Sequence, residues 1–282
     1  MAHSLAKISS MRQAFRELHH QAGCFLIPNP WDVGSARYLQ GLGFKALAST
    51  SSGAAWSMGL PDNRLPREAV LAHLAELVNA TDLPVNADFE GGFASDAEGV
   101  RESVRLCVAT GVAGLSIEDS TGDPASPLRP LDEAVARMKA ARAAIDAAGG
   151  EVLLVGRAEN FISGRPDLAD TITRLQAYAE AGADVLYAPG LTSREQIAAV
   201  VVAVAPKPVN LLVGAASELT MDDIAALGVR RVSVGGALAR SAWGGFMRAA
   251  LVLQEQGRFD GFANAASGAQ LNGFFNAFRD SQ

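Results

Sequence analysis

The chain has 282 residues, 49% of them hydrophobic, and a formal net charge of −6 at pH 7. This acidic balance and the lack of a Lys/Arg stripe argue against a nucleic-acid surface. No uncharged apolar run reaches the ~18 residues of a membrane span, and the N-terminal segment lacks the apolar core of a signal peptide. The two cysteines, Cys24 and Cys107, are too few for a disulfide framework or a metal site. We therefore expect a cytoplasmic protein that binds neither nucleic acid nor a membrane.

Short apolar runs alternate with amphipathic stretches along the chain, after an N-terminal helix predicted at 7–21. Eight such runs predict buried parallel strands, because they are too short for core helices. The runs lie at 24–28, 45–50, 84–88, 114–119, 151–157, 184–189, 208–213 and 231–236. Helical patterns are found between them at 67–80, 97–111, 131–150, 168–183, 193–204 and 221–228.

Eight strands that alternate with helices over about 210 residues predict an α/β fold, the (β/α)8 TIM barrel. An open doubly wound sheet usually has fewer strands and a glycine-rich turn after the first one. Here the first strand continues into PNPWDVGSA, which has no such turn. We expect a single domain over 1–282, whose tail, at about 240–282, forms further helices.

Polar residues at the carboxyl ends of these strands are the candidate site, since a barrel carries its active site there. The strand ends and the turns after them contain Trp31, Ser49, Thr50, Ser51, Asn86, Asp88, Glu118, Arg157, Tyr187 and Asn210. Oxygen ligands without His or Cys favour Mg²⁺ or Mn²⁺. We predict Asp88, Glu118 and Asn86 as the metal ligands. Trp31 either lines the pocket or packs beside it.

The STSSG turn at 49–53 and Arg157 are predicted to bind the substrate. Successive backbone N–H groups of such a turn suit an anion such as a carboxylate, and a guanidinium suits a second carboxylate or an oxyanion. Structural roles remain as alternatives: Arg157 as the partner of Glu159, and STSSG as a simple tight turn. Asp32 and Asp119 are interpreted as helix caps or surface ion pairs.

Six segments in order resemble the isocitrate lyase/phosphoenolpyruvate mutase superfamily. They are NPWDVGSARYLQGLGFKALASTSSG, GLPDN, VNADFEGG, GLSIEDS, VGRAENF and YAEAGADVLYAPG. Each segment alone is weak evidence, but the ordered set, spread over about 23–236, is specific. The resemblance implies a (β/α)8 barrel and a homotetramer, a dimer of dimers in which neighbouring subunits exchange the eighth helix.

The resemblance also implies roles for individual residues. The Ser49–Thr50–Ser51 turn would hold the carboxylate and carbonyl of a 2-oxo acid. Asp88 would be the main metal-linked carboxylate, and Glu118 and Asp62 would hold metal-bound water. Arg157 would neutralise either the developing enolate or the far group of the substrate.

The chain departs from the superfamily pattern at two places. Members often have Asp where this chain has Asn86, so the metal site loses one charge. The loop at 120–130, STGDPASPLRP, lacks both the KxCGH motif of the lyases and the Asn of the mutase lid. Isocitrate cleavage and phosphonate mutation are therefore disfavoured. Arg129 is the cation of this loop and is predicted to close over a bound anion, with an inert surface loop as the alternative. The resemblance implies that Asn210 contacts the far end of the substrate.

These observations predict a magnesium-dependent carbon–carbon lyase acting next to the carbonyl of a small 2-oxo or 2-hydroxy di-acid. Decarboxylation of an oxaloacetate-like acid through an enolate needs no lid thiol, and its last proton would come from water or Tyr187. Three alternatives remain open. They are a C–P hydrolase or mutase acting on phosphonopyruvate, a non-catalytic 2-oxo acid binding protein, and an aldol-type transferase on the same barrel.

Overall fold

Eight parallel strands form a nearly closed barrel in the computed structural model, which describes residues 3–280. The strands are β1 Phe25–Ile27, β2 Leu47–Ala48, β3 Val85–Asp88, β4 Gly114–Glu118, β5 Leu153–Arg157, β6 Val185–Tyr187, β7 Val209–Leu212 and β8 Arg231–Ser233. Strands β2 to β8 pair in chain order, and β8 pairs with β1. Between β1 and β2, the Ala48 N–H donates to the Pro28 carbonyl at 3.0 Å. The predicted (β/α)8 barrel is confirmed.

Helices connect the strands and continue beyond the last one. They are α1 Leu5–His20, α2 Val33–Gly41, α3 Ser51–Ser57, α4 Arg67–Ala80, α5 Ala97–Ala109, α6 Leu131–Ala147, α7 Leu168–Glu180, α8 Arg194–Val204, α9 Met221–Ala226, α10 Ala237–Gln256 and α11 Gly268–Asp280. The predicted helices are all present, and residues 281–282 of the predicted tail lie outside the described part. No helix within residues 3–280 is long and apolar enough to cross a membrane.

Two short helices, α2 and α3, were not among the predicted elements. Helix α2 begins with a capping box in which the Asp32 carboxylate accepts from Ser35 N at 2.7 Å, so the interpretation of Asp32 as a cap is confirmed. Helix α3 begins inside the STSSG segment, where the Thr50 hydroxyl accepts from Gly53 N at 3.3 Å. The predicted tight turn is therefore the start of a helix at the end of β2.

Apolar packing closes the barrel interior at the amino ends of β4 and β5, and polar side chains line it towards the carboxyl ends of the strands. Phe15 of α1 is fully buried and packs with Ala113 and Leu153, at the amino ends of β4 and β5. A second apolar cluster lies between the strands and the surrounding helices. Because the amino end is closed by packing, a ligand has access to the interior from the carboxyl ends of the strands.

Asp119 joins the end of β4 to α7. Its carboxylate accepts hydrogen bonds from Tyr178 Oη at 2.6 Å, Glu159 N at 2.8 Å and Arg174 Nη1 at 3.1 Å. It was predicted as a helix cap or a surface ion pair, but it is only 2% exposed, so the ion pair is a buried one. This contact fixes the loop that follows β5, which leads out of the candidate site.

We expect Asp119→Ala to lower the free energy of unfolding by about 3 kcal/mol, because the Arg174 charge and the Tyr178 hydroxyl would lose a buried partner. Denaturant unfolding of the purified variant measures this. The control is Asp132→Ala, at an exposed acid whose side chain accepts a hydrogen bond from Glu133 N, with an expected loss of under about 1 kcal/mol. Equal losses for the two variants would contradict the assignment of Asp119 as a stabilising buried partner of Arg174 and Tyr178.

Candidate functional site

The carboxyl ends of the strands surround a cavity of about 170 Å³, a volume that suits a small organic acid. Nine of the predicted site residues line it: Ser49, Thr50, Ser51, Asp62, Asn86, Asp88, Arg157, Tyr187 and Asn210. Its other polar side chains, which were not predicted as site residues, are Asn29, Ser52, Ser116, Arg231 and Ser233.

The end of β3 is tied to the end of β2. Ser49 Oγ accepts from Asp88 N at 2.8 Å, and Ser51 N donates to Asp88 Oδ2 at 3.0 Å. Ser51 Oγ donates to Asp62 Oδ1 at 3.2 Å. The Ser51 N–H that was predicted to bind a substrate carboxylate therefore binds a carboxylate of the protein itself. A substrate role for this segment stays a prediction.

Arg157 is the centre of the polar cluster. Its Nη1 lies 3.2 Å from Asp88 Oδ1 and 3.3 Å from Glu118 Oε2, and its Nε donates to Glu159 through a short contact. The guanidinium carbon stands 5.1 Å from the centre of the Tyr187 ring. The structure thus brings Asp88, Glu118 and Arg157 together, and the pairing with Glu159 is present as well. Glu118 contacts Arg157 but is not among the residues that line the cavity.

Acidic groups outnumber basic ones around Arg157. The interacting carboxyl groups are Asp62, Asp88, Glu90, Glu118 and Glu159. Burial raises the pKa of Glu118 well above its ordinary value, and the Arg157 charge opposes that rise only in part. Burial and the negative charge of Asp88 raise the pKa of Glu90 to about 8. The carboxyl cluster around Arg157, of which Asp62 and Asp88 line the cavity, therefore favours either bound protons or an added cation.

Glu90 has no role in the sequence prediction, although it follows β3 by two residues. Its backbone φ is +46°, in the left-handed region that non-glycine residues rarely adopt. Such strain persists where the surroundings hold the chain in place, and it often marks functional sites. The strand-end position was the available signal, but nothing in the sequence reveals the backbone conformation.

The donor set fits a hard divalent cation such as Mg²⁺ or Mn²⁺. The carboxyl groups of Asp62, Asp88 and Glu90 offer oxygen ligands, and a cation beside them would favour the charged form of Glu90, whose pKa burial and the Asp88 charge raise to about 8. Within residues 3–280 no three His, Cys, Asp or Glu side chains form a ready-made metal cage. An ion here would thus be held as Mg²⁺ often is, by one or two carboxylates and water.

Asn29 and Asn86 have partners that define their orientation. Asn29 Oδ1 accepts from the backbone N–H groups of Val234 and Gly235, both at 2.9 Å, and its Nδ2 donates to the Ser49 carbonyl at 2.8 Å. Asn29 therefore clamps the ends of β1, β2 and β8 around the cavity. Asn86 Oδ1, predicted as a metal ligand, lies 3.3 Å from Arg231 Nη1.

Trp31 and Arg129 lie outside the cavity. Trp31 packs against α3, where a side chain at Gly53 would meet the Trp31 Cβ at 2.9 Å. The Arg129 guanidinium pairs with Glu133 at 2.6 Å, on α6. Trp31 therefore packs beside the pocket, as one of its two predicted alternatives had it. Closure of Arg129 over an anion remains a prediction, and it requires the loop to move.

Similarity to known proteins covers most of the chain. The model of the phosphoenolpyruvate phosphomutase family matches residues 15–253. The chain belongs to the phosphoenolpyruvate mutase family. A candidate lyase/mutase from Burkholderia cenocepacia J2315, known from a crystal structure, is 49% identical, with a TM-score of 0.92 over 96% of this chain and 98% of its own.

Two further relatives act on oxaloacetate according to their names. The oxaloacetate decarboxylase of Paraburkholderia xenovorans (strain LB400) is 32% identical, over 79% of this chain and 75% of its own length. The crystal structure of oxaloacetate acetylhydrolase with the product oxalate is 26% identical, with a TM-score of 0.83 over 97% of each chain. The predicted superfamily is confirmed, and the chain is an enzyme of the isocitrate lyase/phosphoenolpyruvate mutase superfamily, a lyase of that group.

In the metal-free protein, Glu90→Gln is expected to lose less stability than the wild type as the pH rises. Because the folded state raises the pKa of Glu90 from 4.5 to about 8, the stability that this group contributes is present below pH 4.5 and is lost as pH rises to about 8. The melting temperature of the wild type should therefore fall more than that of Glu90→Gln across this range.

Thermal melts in a series of metal-free buffers measure the difference. Glu255→Gln, an exposed position near the end of α10, is the control and should follow the wild type. Parallel curves for the wild type and Glu90→Gln would contradict the raised pKa.

Proposed function

We propose that this enzyme is a Mg²⁺- or Mn²⁺-dependent lyase that cleaves a C–C bond at the carbon next to the carbonyl of a small 2-oxo di-acid, with oxaloacetate decarboxylation as the leading reaction. The observation that carries the proposal is the contact of Arg157 with Asp88 and Glu118 at a cavity of about 170 Å³. The similarity to oxaloacetate decarboxylase supports the same substrate class.

In this reaction the C3–C4 bond breaks, CO₂ leaves, and the electron pair moves to the C2 carbonyl oxygen. A bound divalent ion supplies the polarisation of that carbonyl, and Asp88, Asp62 and Glu90 are the residues that would hold it. Arg157, kept in position by Asp88 and Glu118, contributes positive charge near the developing enolate. The carboxylates around Arg157 therefore orient it.

Tyr187 is the side chain of the cavity best suited to return the proton to C3. Burial raises the pKa of its hydroxyl to about 12, so it stays protonated at neutral pH and is able to donate. The Arg157 guanidinium 5.1 Å from its ring centre opposes that rise, because it stabilises the tyrosinate. After the proton leaves, water restores it from the open end of the cavity.

Arg157→Gln is expected to lower kcat for oxaloacetate about 100- to 1000-fold, because the charge that stabilises the enolate is lost. The assay follows pyruvate from oxaloacetate with Mg²⁺, against the spontaneous rate and against a metal-free reaction. The control is Arg105→Gln, an exposed arginine that pairs with Glu102 on α5. A wild type without metal-dependent turnover would reject oxaloacetate as the substrate.

The match to the phosphoenolpyruvate phosphomutase family model favours a second candidate, cleavage of a C–P bond. The same cavity and cation would then act on phosphonopyruvate. Release of inorganic phosphate from phosphonopyruvate, without turnover of oxaloacetate, would identify this reaction.

The proposed assembly is a homotetramer built from dimers that exchange the helix after the eighth strand, which is α10 in this chain. Helix α10 has 20 residues and buries only Ala239 in the single chain. The large apolar side chains exposed on α10, on α11 and between them are Leu238, Trp243, Phe246, Met247, Leu251, Leu253, Phe259, Phe262, Leu271 and Phe275. Exposed apolar patches of this extent are typical of subunit interfaces, so a neighbouring copy is the proposed cover.

Phe246→Glu is expected to break the tetramer into smaller species, because it adds a charge to the exposed apolar face of α10, where Phe246 is 62% exposed. Light scattering coupled to size-exclusion chromatography measures the mass. Leu5→Glu is the control, since Leu5 is 85% exposed on α1, away from this face. A monomeric wild type would contradict the proposed assembly.

A further inference from the structure

The interior end of the cavity holds a cation that no carboxylate neutralises. Arg231, the first residue of β8, lines the cavity and is only 3% exposed. Among residues 3–280 no Asp or Glu forms an ion pair with it, and its hydrogen bonds go to uncharged groups. An unpaired charge is strongly disfavoured in a protein interior, so a buried arginine of this kind calls for an explanation.

Three neutral acceptors hold the Arg231 guanidinium. Nε donates to Asn210 Oδ1 at 2.8 Å, and Nη1 lies 3.3 Å from both Asn86 Oδ1 and His19 Nε2. His19 Nδ1 donates to the Phe15 carbonyl at 2.7 Å, which leaves the lone pair on Nε2 for Arg231. Burial lowers the pKa of His19 to about 3, so this ring is uncharged at neutral pH. The network fixes the direction of the guanidinium and leaves its charge intact.

The two arginines of the cavity therefore differ in their surroundings. Arg157 forms ion pairs with Asp88, Glu118 and Glu159. Arg231 forms no ion pair with an Asp or Glu among residues 3–280. An anion that enters the cavity therefore meets a cation paired with carboxyl groups at Arg157 and an unpaired cation at Arg231.

We propose that Arg231 is the anion receptor of this cavity: it binds a carboxylate of the small-acid ligand, and Asn86 is neutral so that the guanidinium stays available. The inference rests on the proposed function only in taking the ligand to be a small dicarboxylic acid. It gives Asn86 a different role from metal ligation, because Asn86 Oδ1 faces the guanidinium. Arg231 then selects for anionic ligands, while Asp88 and Arg157 serve the bond that breaks.

Oxalate, the smallest dicarboxylate, is the probe, and isothermal titration of metal-free protein is the measurement. The wild type is expected to bind it, and Arg231→Met to bind it about tenfold or more weakly, since the charge is gone. Asn86→Asp is expected to cause a similar loss, because it sets a carboxylate beside Nη1 and neutralises the receptor. This second variant keeps Arg231 and decides the question if Arg231→Met does not fold.

Arg12→Met is the matched control. Arg12 is also a buried arginine, 9% exposed, and it donates to the carbonyls of Val112 and Val108 away from the cavity. Its loss is expected to lower stability and to leave oxalate affinity unchanged. A purely structural Arg231 would behave in the same way as Arg12.

Two results would overturn the inference: no oxalate binding by the wild type, or wild-type affinity in a folded Arg231→Met or Asn86→Asp variant. The inference and the proposed function fail separately. Oxaloacetate turnover with an unchanged KM in Arg231→Met would rule out Arg231 as the anion receptor and would support the proposed reaction. Arg231-dependent oxalate binding without any turnover of oxaloacetate would support the anion receptor and rule out the proposed reaction.

Discussion

The register of the barrel strands is the constraint on which the site depends. In the pairing of β4 to β8, Glu118 lies beside Arg157, Arg157 beside Tyr187, Tyr187 beside Asn210, and Asn210 beside Arg231. Strands in a sheet are about 4.8 Å apart, and residues in register point to the same face. One polar residue from each of five strands therefore forms a continuous row, and four of them, Arg157, Tyr187, Asn210 and Arg231, line the cavity. A shift by one residue in any strand would break this row.

The two sides of the cavity differ in their charged groups. At β3 to β5 several carboxyl groups surround one arginine, Arg157, which suits a divalent ion. At β8 Arg231 stands among amides and an uncharged imidazole. In the proposed reaction, a small dianion that spans the cavity would be attracted by Arg231 on one side and by a bound ion on the other. The same separation explains how one small cavity contains both an excess of acid and a receptor for acids.

Much of the fold was predictable from the sequence, because each strand is a short apolar run between amphipathic helices. The short helices α2 and α3 were not, since α3 lies within a serine-rich segment and α2 lacks a strong apolar stripe. Residues at strand ends were predictable as a group from the barrel geometry. Their partners were not, because hydrogen bonds such as Ser51 N to Asp88 depend on strand register and on loop conformation.

Arg231 is the clearest example of a cavity residue that the sequence alone does not reveal. It opens β8 rather than ending it, so a search of strand ends passes over it, and only its buried position beside Asn86 and Asn210 reveals a role. Conversely, Arg129 and Trp31 occupy predicted positions in the chain but do not line the cavity: the Arg129 guanidinium pairs with Glu133, and Trp31 packs against α3.

A crystal structure of the protein with Mg²⁺ and oxalate tests the central claim most directly, namely that ion and carboxylate meet on this row of strand residues. The account predicts an ion beside Asp88 and an oxalate oxygen within hydrogen-bonding distance of Arg231. Oxalate bound elsewhere, or an ion with no contact to Asp88 or its neighbouring carboxylates, would contradict it.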